Sequence, residues 1–288
     1  MARGNNQTAS VRSEFGRGDK EEAQKALNIF RQREGSLNDE RNNALAGKDL
    51  RGIQLYGRDL SGGNFTGTDL RGSQMMGANL MGSTFENAKM NKALLGRADI
   101  SESDLTGVDL SGADLKKADL HNSFFSKNAL LIEADLRKAN LRGVDFQGAN
   151  ATDAKFSEAD LQGGDFRKSN MDTATFKYIN GERARFSEAN LPTADFSDAM
   201  LKNSDFYGAN LQNARFAVAD LENVDFRKAN LEGADLRGTN LQDVNFSGAN
   251  LTNVSWGDSG DLTRTQFTKA IGLSEKDKSY IRSRGGRV

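Results

Sequence analysis

The stretch Ala229–Leu251, ANLEGADLRGTNLQDVNFSGANL, places Asp or Asn at every fifth position: Asn230, Asp235, Asn240, Asn245 and Asn250. A ladder of carboxylates and amides at fixed pitch could bind a divalent cation, work as acid and base, or imitate the phosphates of a nucleic acid. Each use makes a geometric demand. A cation or an acid–base pair needs carboxylates converging in a concavity. Phosphate mimicry needs a dense field, about one charge per 1.7 Å of duplex. Other chemically able residues are few. His121, in ADLHNSFF, is the single histidine, and cysteine is absent. Disulfides and thiolate chemistry are therefore excluded, and a Ser–His–Asp arrangement would have to use His121, which reads as an outward surface residue. The glycines form neither GxGxxG nor a P-loop. The triplets NFT, NAT, NLT and NVS fit the N-glycosylation pattern, but they are by-products of the recurring Asn. No catalytic residue, metal ligand or cofactor is expected, and the chain reads as a non-enzyme.

The positions that hold this ladder belong to a longer rhythm. From Leu50 to Leu130 every fifth residue is Leu, Phe, Met or Ile; after a one-residue slip the rhythm runs from Leu136 to Trp256, and a second slip leads to Leu262 and Phe267. One beat is missed at Gly181, inside KYINGERARF, and Ala151 reads as the one small residue on the beat. A period of five fits neither a helix nor a plain strand. The apolar residue, called the centre below, and the small residue two before it alternate as in a strand, so both point inward and the Asp or Asn between them points out. Two residues after the centre comes a frequent Gly, as at Gly52, Gly57, Gly62 and Gly67. Glycine accepts the positive φ of a tight corner. A short extended piece and a corner in every unit wind the chain into a solenoid. On this reading the Asp/Asn ladder diverges from a convex rod, and its chemistry is local hydrogen bonding at turns.

ADLRG, ANLRG, VDFQG and ANLEG resemble the unit of the pentapeptide-repeat family, over about three quarters of the chain. The resemblance implies an all-β solenoid, a right-handed quadrilateral β-helix with four units per coil. On the order of ten coils at a strand spacing of about 4.8 Å make a rod roughly 50 Å long. From Phe186 to Phe226 Phe and Leu alternate at the centres, so four faces predict Phe on two opposite faces. Trp256 is expected to plug the end of the lumen.

The expected divisions are a disordered tail over 1–18, an N-terminal capping helix and linker over 19–43, the β-helix over 44–268, and a C-terminal capping helix and tail over 269–288. Asp19 with Glu22, and Ser274 with Asp277, supply helix-start signals. Open β-helix ends need caps; the alternative use of a terminal helix is homodimerisation. No run of 18 apolar residues and no N-terminal apolar region is present, so no membrane span is expected. The expected location is cytoplasmic, or an organelle interior if a targeting peptide has been removed.

Function is expected where the rhythm is broken. Outward positions carry Tyr56, Met76, Met81, Phe124, Tyr178 and Tyr207. These are the expected protein-partner contacts, with Tyr56 and Met76 stacked in adjacent coils and Met81 round the next corner. The stretch from Tyr178 to Arg185 is expected to interrupt the wall. Charge is balanced over 45–130, −5 over 131–256 and +3 over 257–288, with ten, fourteen and seven basic residues against ten, nineteen and four acidic ones. Direct nucleic-acid binding is not expected. The leading reading is a non-enzymatic scaffold or linker, a rigid rod docking a larger protein complex. The alternative, implied by the family, is a DNA-mimicking protein that binds and protects topoisomerases such as gyrase. A charge of −5 interrupted by Arg137, Lys138, Arg167, Lys168, Arg227 and Lys228 is modest for that role.

Overall fold

The corners set the architecture. In the computed structural model, which describes residues 45–288 apart from 127 and 261, the second residue after each centre other than Phe125 has a positive φ. Gly62 (61°) meets this at no cost, while Lys92, Arg97, Glu102 and even Val218 (64°) are held in the same left-handed region. Most corners are closed by a bond from the third residue after the centre to the centre's carbonyl, as in Ser73 N–H to Leu70 O, 3.0 Å.

The unit around Leu70 shows why the rhythm needs five residues. Its five backbone N–H groups all find acceptors. Leu70 and Gly72 donate to Lys89 and Asn91 of the next coil, Ser73 closes the corner, and Gln74 donates to Ile53 of the preceding coil. Arg71, at the apex, donates to the side chain of Asp69 at 3.3 Å. Every donor is used inside the rod, as burial of backbone requires.

Parallel bridges join residues 20 apart, Asp49 to Asp69 to Lys89 and onward, which is four units of five, and 21 apart where a slip intervenes, as from Asp109 to Leu130. The outward bridging positions therefore form four columns. Face A runs through Asn64, Thr84 and Asp104, face B through Asp69 and Lys89, face C through Gln74 and Leu94, and face D through Asn79 and Asp99. The centres fill the lumen. Phe186, Phe206 and Phe226 stack behind face A at 4.8 and 5.2 Å, Phe196 and Phe216 stack behind face C at 5.0 Å, and the two columns meet edge-on at 5.6–5.9 Å.

Four expectations change. Leu130 is not a centre: the inserted residue lies in the corner after Phe125, so Leu130 bridges Asp109 on the outside and Leu131 is the buried centre. The wall is not interrupted at Tyr178–Arg185, because Asn180 pairs with Asp160 and Met200 in unbroken register. Gly181 is the centre there, so Ala151 is not the one small centre. A Cβ on Gly181 would meet Leu201 Cδ2 at 2.8 Å and Ile179 Cδ1 at 3.3 Å. Ile179, two before the centre, fills the space that Leu fills elsewhere. Finally, Trp256 does not end the lumen. It packs edge-on against Phe246 and Phe267 at 5.9 and 6.1 Å, and Leu262, Phe267 and Ile281 continue the core beyond it.

Helix α1, Glu275–Ser283, begins at N-cap Ser274 with a capping box to Asp277 and buries Ile281. After it Arg284 O accepts from Leu262 N–H, and Arg287 bridges Gln266. No helix among the described residues is long and apolar enough to cross a membrane. The tail over 1–18 and the helix and linker over 19–43 lie outside the described residues.

Candidate interaction surface

The Asp/Asn ladder is used by the fold. Its side chains accept the apex N–H of the next corner, as in Asp104 from Thr106 (2.9 Å), Asp145 from Gln147 (3.0 Å) and Asn245 from Ser247 (2.9 Å). Where the apex residue is Arg, the same carboxylate also takes its guanidinium. Asp49–Arg51, Asp69–Arg71, Asp135–Arg137, Asp165–Arg167, Asp225–Arg227 and Asp235–Arg237 form such clamps, with closest contacts of 2.6–2.7 Å. The Arg51 and Arg237 side chains hold the carboxyls of Asp49 and Asp235 below the usual range. At Asp69, Asp135 and Asp165 burial pushes the other way, and hydrogen bonds from Arg71, Arg137 and Arg167 outweigh it. His121 occupies the same apex slot: its Nδ1 lies 2.8 Å from Asp119, while Ser101, one coil below, gives its hydroxyl to Asp99. Among the described residues no group of three or more His, Cys, Asp or Glu side chains is arranged to hold a metal ion.

The four faces differ in chemistry. Face B carries Asn150, Asn170, Asn190, Asn210, Asn230 and Asn250 in successive coils. Side-chain hydrogen bonds of 2.8–3.0 Å run from the amide of Asn190 to Asn170 Oδ1, of Asn210 to Asn190 Oδ1 and of Asn250 to Asn230 Oδ1. Face A carries Asp104, Asp145, Asp165, Asp205 and Asp225, interrupted by Phe124 and Arg185.

Against this polar lattice the sequence-derived contacts scatter. Tyr56 and Met76 share one corner in adjacent coils, where Gly57 N–H donates to Met76 O, and Met81 lies one corner on. Phe124 stands alone on face A in a shallow hollow with Glu102, Asp104 and Asp145. Tyr207 is half-buried, with Arg227 and Lys228 over its ring at 5.6 and 5.3 Å. Tyr178 is different, because two residues passed over in the sequence join it. Tyr178, Asp198 and Val218 occupy the left-handed corner position of successive coils, linked through Tyr178 N–H to Ser197 O and Asp198 N–H to Ala217 O, and Met200 lies on the adjoining face D. Tyr178, Met200 and Val218 are 60, 49 and 63 % exposed. Their signal in the sequence was the misfit itself: Met where Asp or Asn holds the apex, and a β-branched residue where Gly or Asn is favoured.

Family comparisons agree with this geometry. Models described as pentapeptide repeat region and pentapeptide repeats (8 copies) match residues 98–176 and 149–223, and 49–87 and 219–255, respectively. No curated protein matches the chain. Among solved structures, HetL of the cyanobacterium Nostoc sp. strain PCC 7120, a pentapeptide repeat protein involved in heterocyst differentiation regulation, is 26 % identical. That match covers 78 % of this chain and 91 % of HetL with a TM-score of 0.34. A pentapeptide repeat protein of the Arabidopsis thaliana thylakoid lumen is 30 % identical over 36 % of this chain and 75 % of its own, TM-score 0.25. QnrB1, a plasmid-mediated fluoroquinolone resistance protein, is 21 % identical over 70 % and 89 %, TM-score 0.40. With coils of four five-residue units, apex-capping Asp and Asn, and family matches along 49–87 and 98–255, the chain belongs to the pentapeptide-repeat family.

Proposed function

We propose that the protein is a non-enzymatic interaction module, a rigid rod that docks a protein partner through the corner formed by Tyr178, Met200 and Val218. The carrying observation is Val218: a β-branched residue at φ 64°, 63 % exposed, where the fold favours glycine. Strain kept at an exposed apolar side chain points to a contact. Tyr178 and Met200 extend the same corner, with Asp198 in the coil between Tyr178 and Val218, and Tyr56, Met76, Met81, Phe124 and Tyr207 are secondary contacts. On this reading α1 serves as the C-terminal cap of the rod, since it buries Ile281 against the last coil. The test exploits the pattern. Tyr178→Asn, Met200→Asn and Val218→Gly together restore residues that the corner prefers, so the rod stays folded while the apolar corner is lost. Cross-linking in native extract followed by mass spectrometry should recover a partner with the wild-type protein and lose it with the triple variant. An unchanged set of cross-linked proteins, from a triple variant that still melts cooperatively at or above the wild-type midpoint, would refute the assignment.

A second reading, a topoisomerase-binding duplex mimic, is favoured by the in-register carboxylates of face A. It ranks below the first because Arg167 and Arg185 both contact Asp165, and Arg227 clamps Asp225. Purified protein should then alter gyrase supercoiling or its inhibition by a quinolone at micromolar concentration; no effect on cognate gyrase rules this reading out.

A further inference from the structure

Face A departs from its own pattern at Phe124. The bridging column runs Asp104, Phe124, Asp145, so an aromatic ring stands between two coils that each carry a carboxylate. The ring is 52 % exposed. With Glu102, Asp104, Thr106, Ser126 and Asp145 it lines a hollow of about 450 Å³, large enough for one long side chain. The carboxylates of this hollow have charge to spare. Asp104 and Asp145 each accept one apex N–H, from Thr106 at 2.9 Å and Gln147 at 3.0 Å. No Lys or Arg among the described residues forms an ion pair with either of them or with Glu102. Further along the same face the situation is reversed: Arg167 and Arg185 contact Asp165, and Arg227 clamps Asp225. Three unpaired carboxylates repel one another, and the exposed ring beside them presents a negative π-face. Both features favour one kind of visitor, an organic cation with a flat face.

We propose that the Phe124 hollow receives the guanidinium of an arginine presented by a protein partner, with the Phe124 ring beneath it and a carboxylate on either side. This rests on the interaction-module reading for the partner's being a protein, and not on the Tyr178 corner. Spacing along the face selects the cation. At roughly 4.8 Å per coil, Asp104 and Asp145 stand about 10 Å apart with the ring between them. A guanidinium centred on the ring, with charge-assisted bonds of about 2.8 Å on both sides, spans roughly 8 Å. Its planar fork can therefore stack on the ring and donate to both carboxylates at once. An ammonium is a compact point charge and reaches one carboxylate at a time. A metal ion is not favoured, because no three such side chains among the described residues are arranged around one. Glu102, at φ 56° in the corner that leads into face A, adds a third negative charge at the rim.

The test uses the full-length chain and two fluorescein-labelled peptides of equal charge, Gly-Arg-Gly-Arg-Gly and Gly-Lys-Gly-Lys-Gly, with binding read by fluorescence anisotropy at low salt. The arginine peptide should bind at least about threefold more tightly. Phe124→Asn places at this position the residue that face A carries at Asn64 and Asn245, so the rod keeps its cooperative melt. It should bring the two affinities together, whereas Phe124→Tyr should keep them apart. Glu102→Gln combined with Asp145→Asn should weaken both peptides, and Asp205→Asn, further along the same face, should weaken neither. Equal affinities for the wild-type protein overturn the proposal. So does an arginine preference that survives Phe124→Asn, or a loss with Asp205→Asn as large as that with the Glu102 and Asp145 changes. Should Phe124→Asn lose its melt, Phe124→Leu, apolar but without a ring, carries the same reading. The peptides stand in for no particular partner, so a failed hollow leaves the cross-linking result at the Tyr178 corner untouched, and the reverse.

Discussion

A single unit holds two residues of opposite duty, and the difference is measurable. Phe206 is fully buried and stacked between Phe186 and Phe226 at 4.8 and 5.2 Å. Its neighbour Asp205 points outward, accepting the Tyr207 N–H at 2.8 Å and the Ser187 hydroxyl. Phe206→Ala should cost about 3–5 kcal/mol in urea denaturation, and Asp205→Ala about 1 kcal/mol or less. Equal costs would contradict the assignment of inside and outside. This much was legible in the letters, because a period of five forces the inward and outward positions apart. The duty of the Asp was only half legible. Its outward direction followed from the rhythm, but its acceptance of the apex N–H depends on a donor that neither neighbouring coil uses.

At the scale of the unit and its corner, the fold conserves volume more strictly than it conserves letters. Gly181 reads as a missed beat, yet Ile179 two residues earlier restores the lumen's filling. The pair is therefore coupled. Gly181→Leu alone should clash with Leu201 and destabilise by about 1–3 kcal/mol, and Ile179→Ala alone should leave a cavity costing about 2–4 kcal/mol. Combined, the two changes recreate the ordinary unit and should recover most of the loss in a double-mutant cycle. Additive losses would show that the two side chains do not share the space. Corners give a second test. Val218→Gly relieves a left-handed β-branched residue and should raise stability by about 1 kcal/mol, read as an upward shift of the thermal midpoint. The same physics explains what pattern reading missed. A one-residue slip can be placed anywhere between two clear centres, and two adjacent leucines hid its position. The corner after Phe125 took the extra residue, so Leu130 faces out and Leu131 faces in. Met200 and Val218 went unmarked because each is ordinary by itself; only the stacking of coils brings them beside Tyr178.

For the whole rod, the clamped carboxylates make stability depend on acid. Asp49, Asp69, Asp135, Asp165, Asp195 and Asp235 are all held below the ordinary 3.8. The Arg fork is the chief cause at Asp49 and Asp235. At the others burial opposes ionisation and is outweighed by hydrogen bonds, at Asp195 from Ser197 and Lys177. A carboxyl that is more acidic when folded stabilises the fold fully above its unfolded pKa, and that contribution fades as pH falls through the folded one. These groups should leave the urea midpoint flat between about pH 7 and pH 5 and lower it steadily below about pH 4. Replacing the six aspartates by Asn, which still accepts the apex N–H, should flatten the acid limb; an unaltered limb would place the acid sensitivity elsewhere. The 20-residue spacing of the bridges has one more consequence. Each unit advances the chain by a quarter turn, so sequence length between two surface features fixes their relative azimuth. A one-residue insertion in a corner leaves this angle alone, as it does between Phe124 and Tyr178. Removing one whole unit from that interval would swing Tyr178, Met200 and Val218 round to the neighbouring side of everything before it, with the contacts inside each remaining unit intact. A partner that grips both Phe124 and the Tyr178 corner should be lost on deleting five residues and regained on deleting a full coil. The rod thus acts as a protractor whose graduations are counted in pentapeptides.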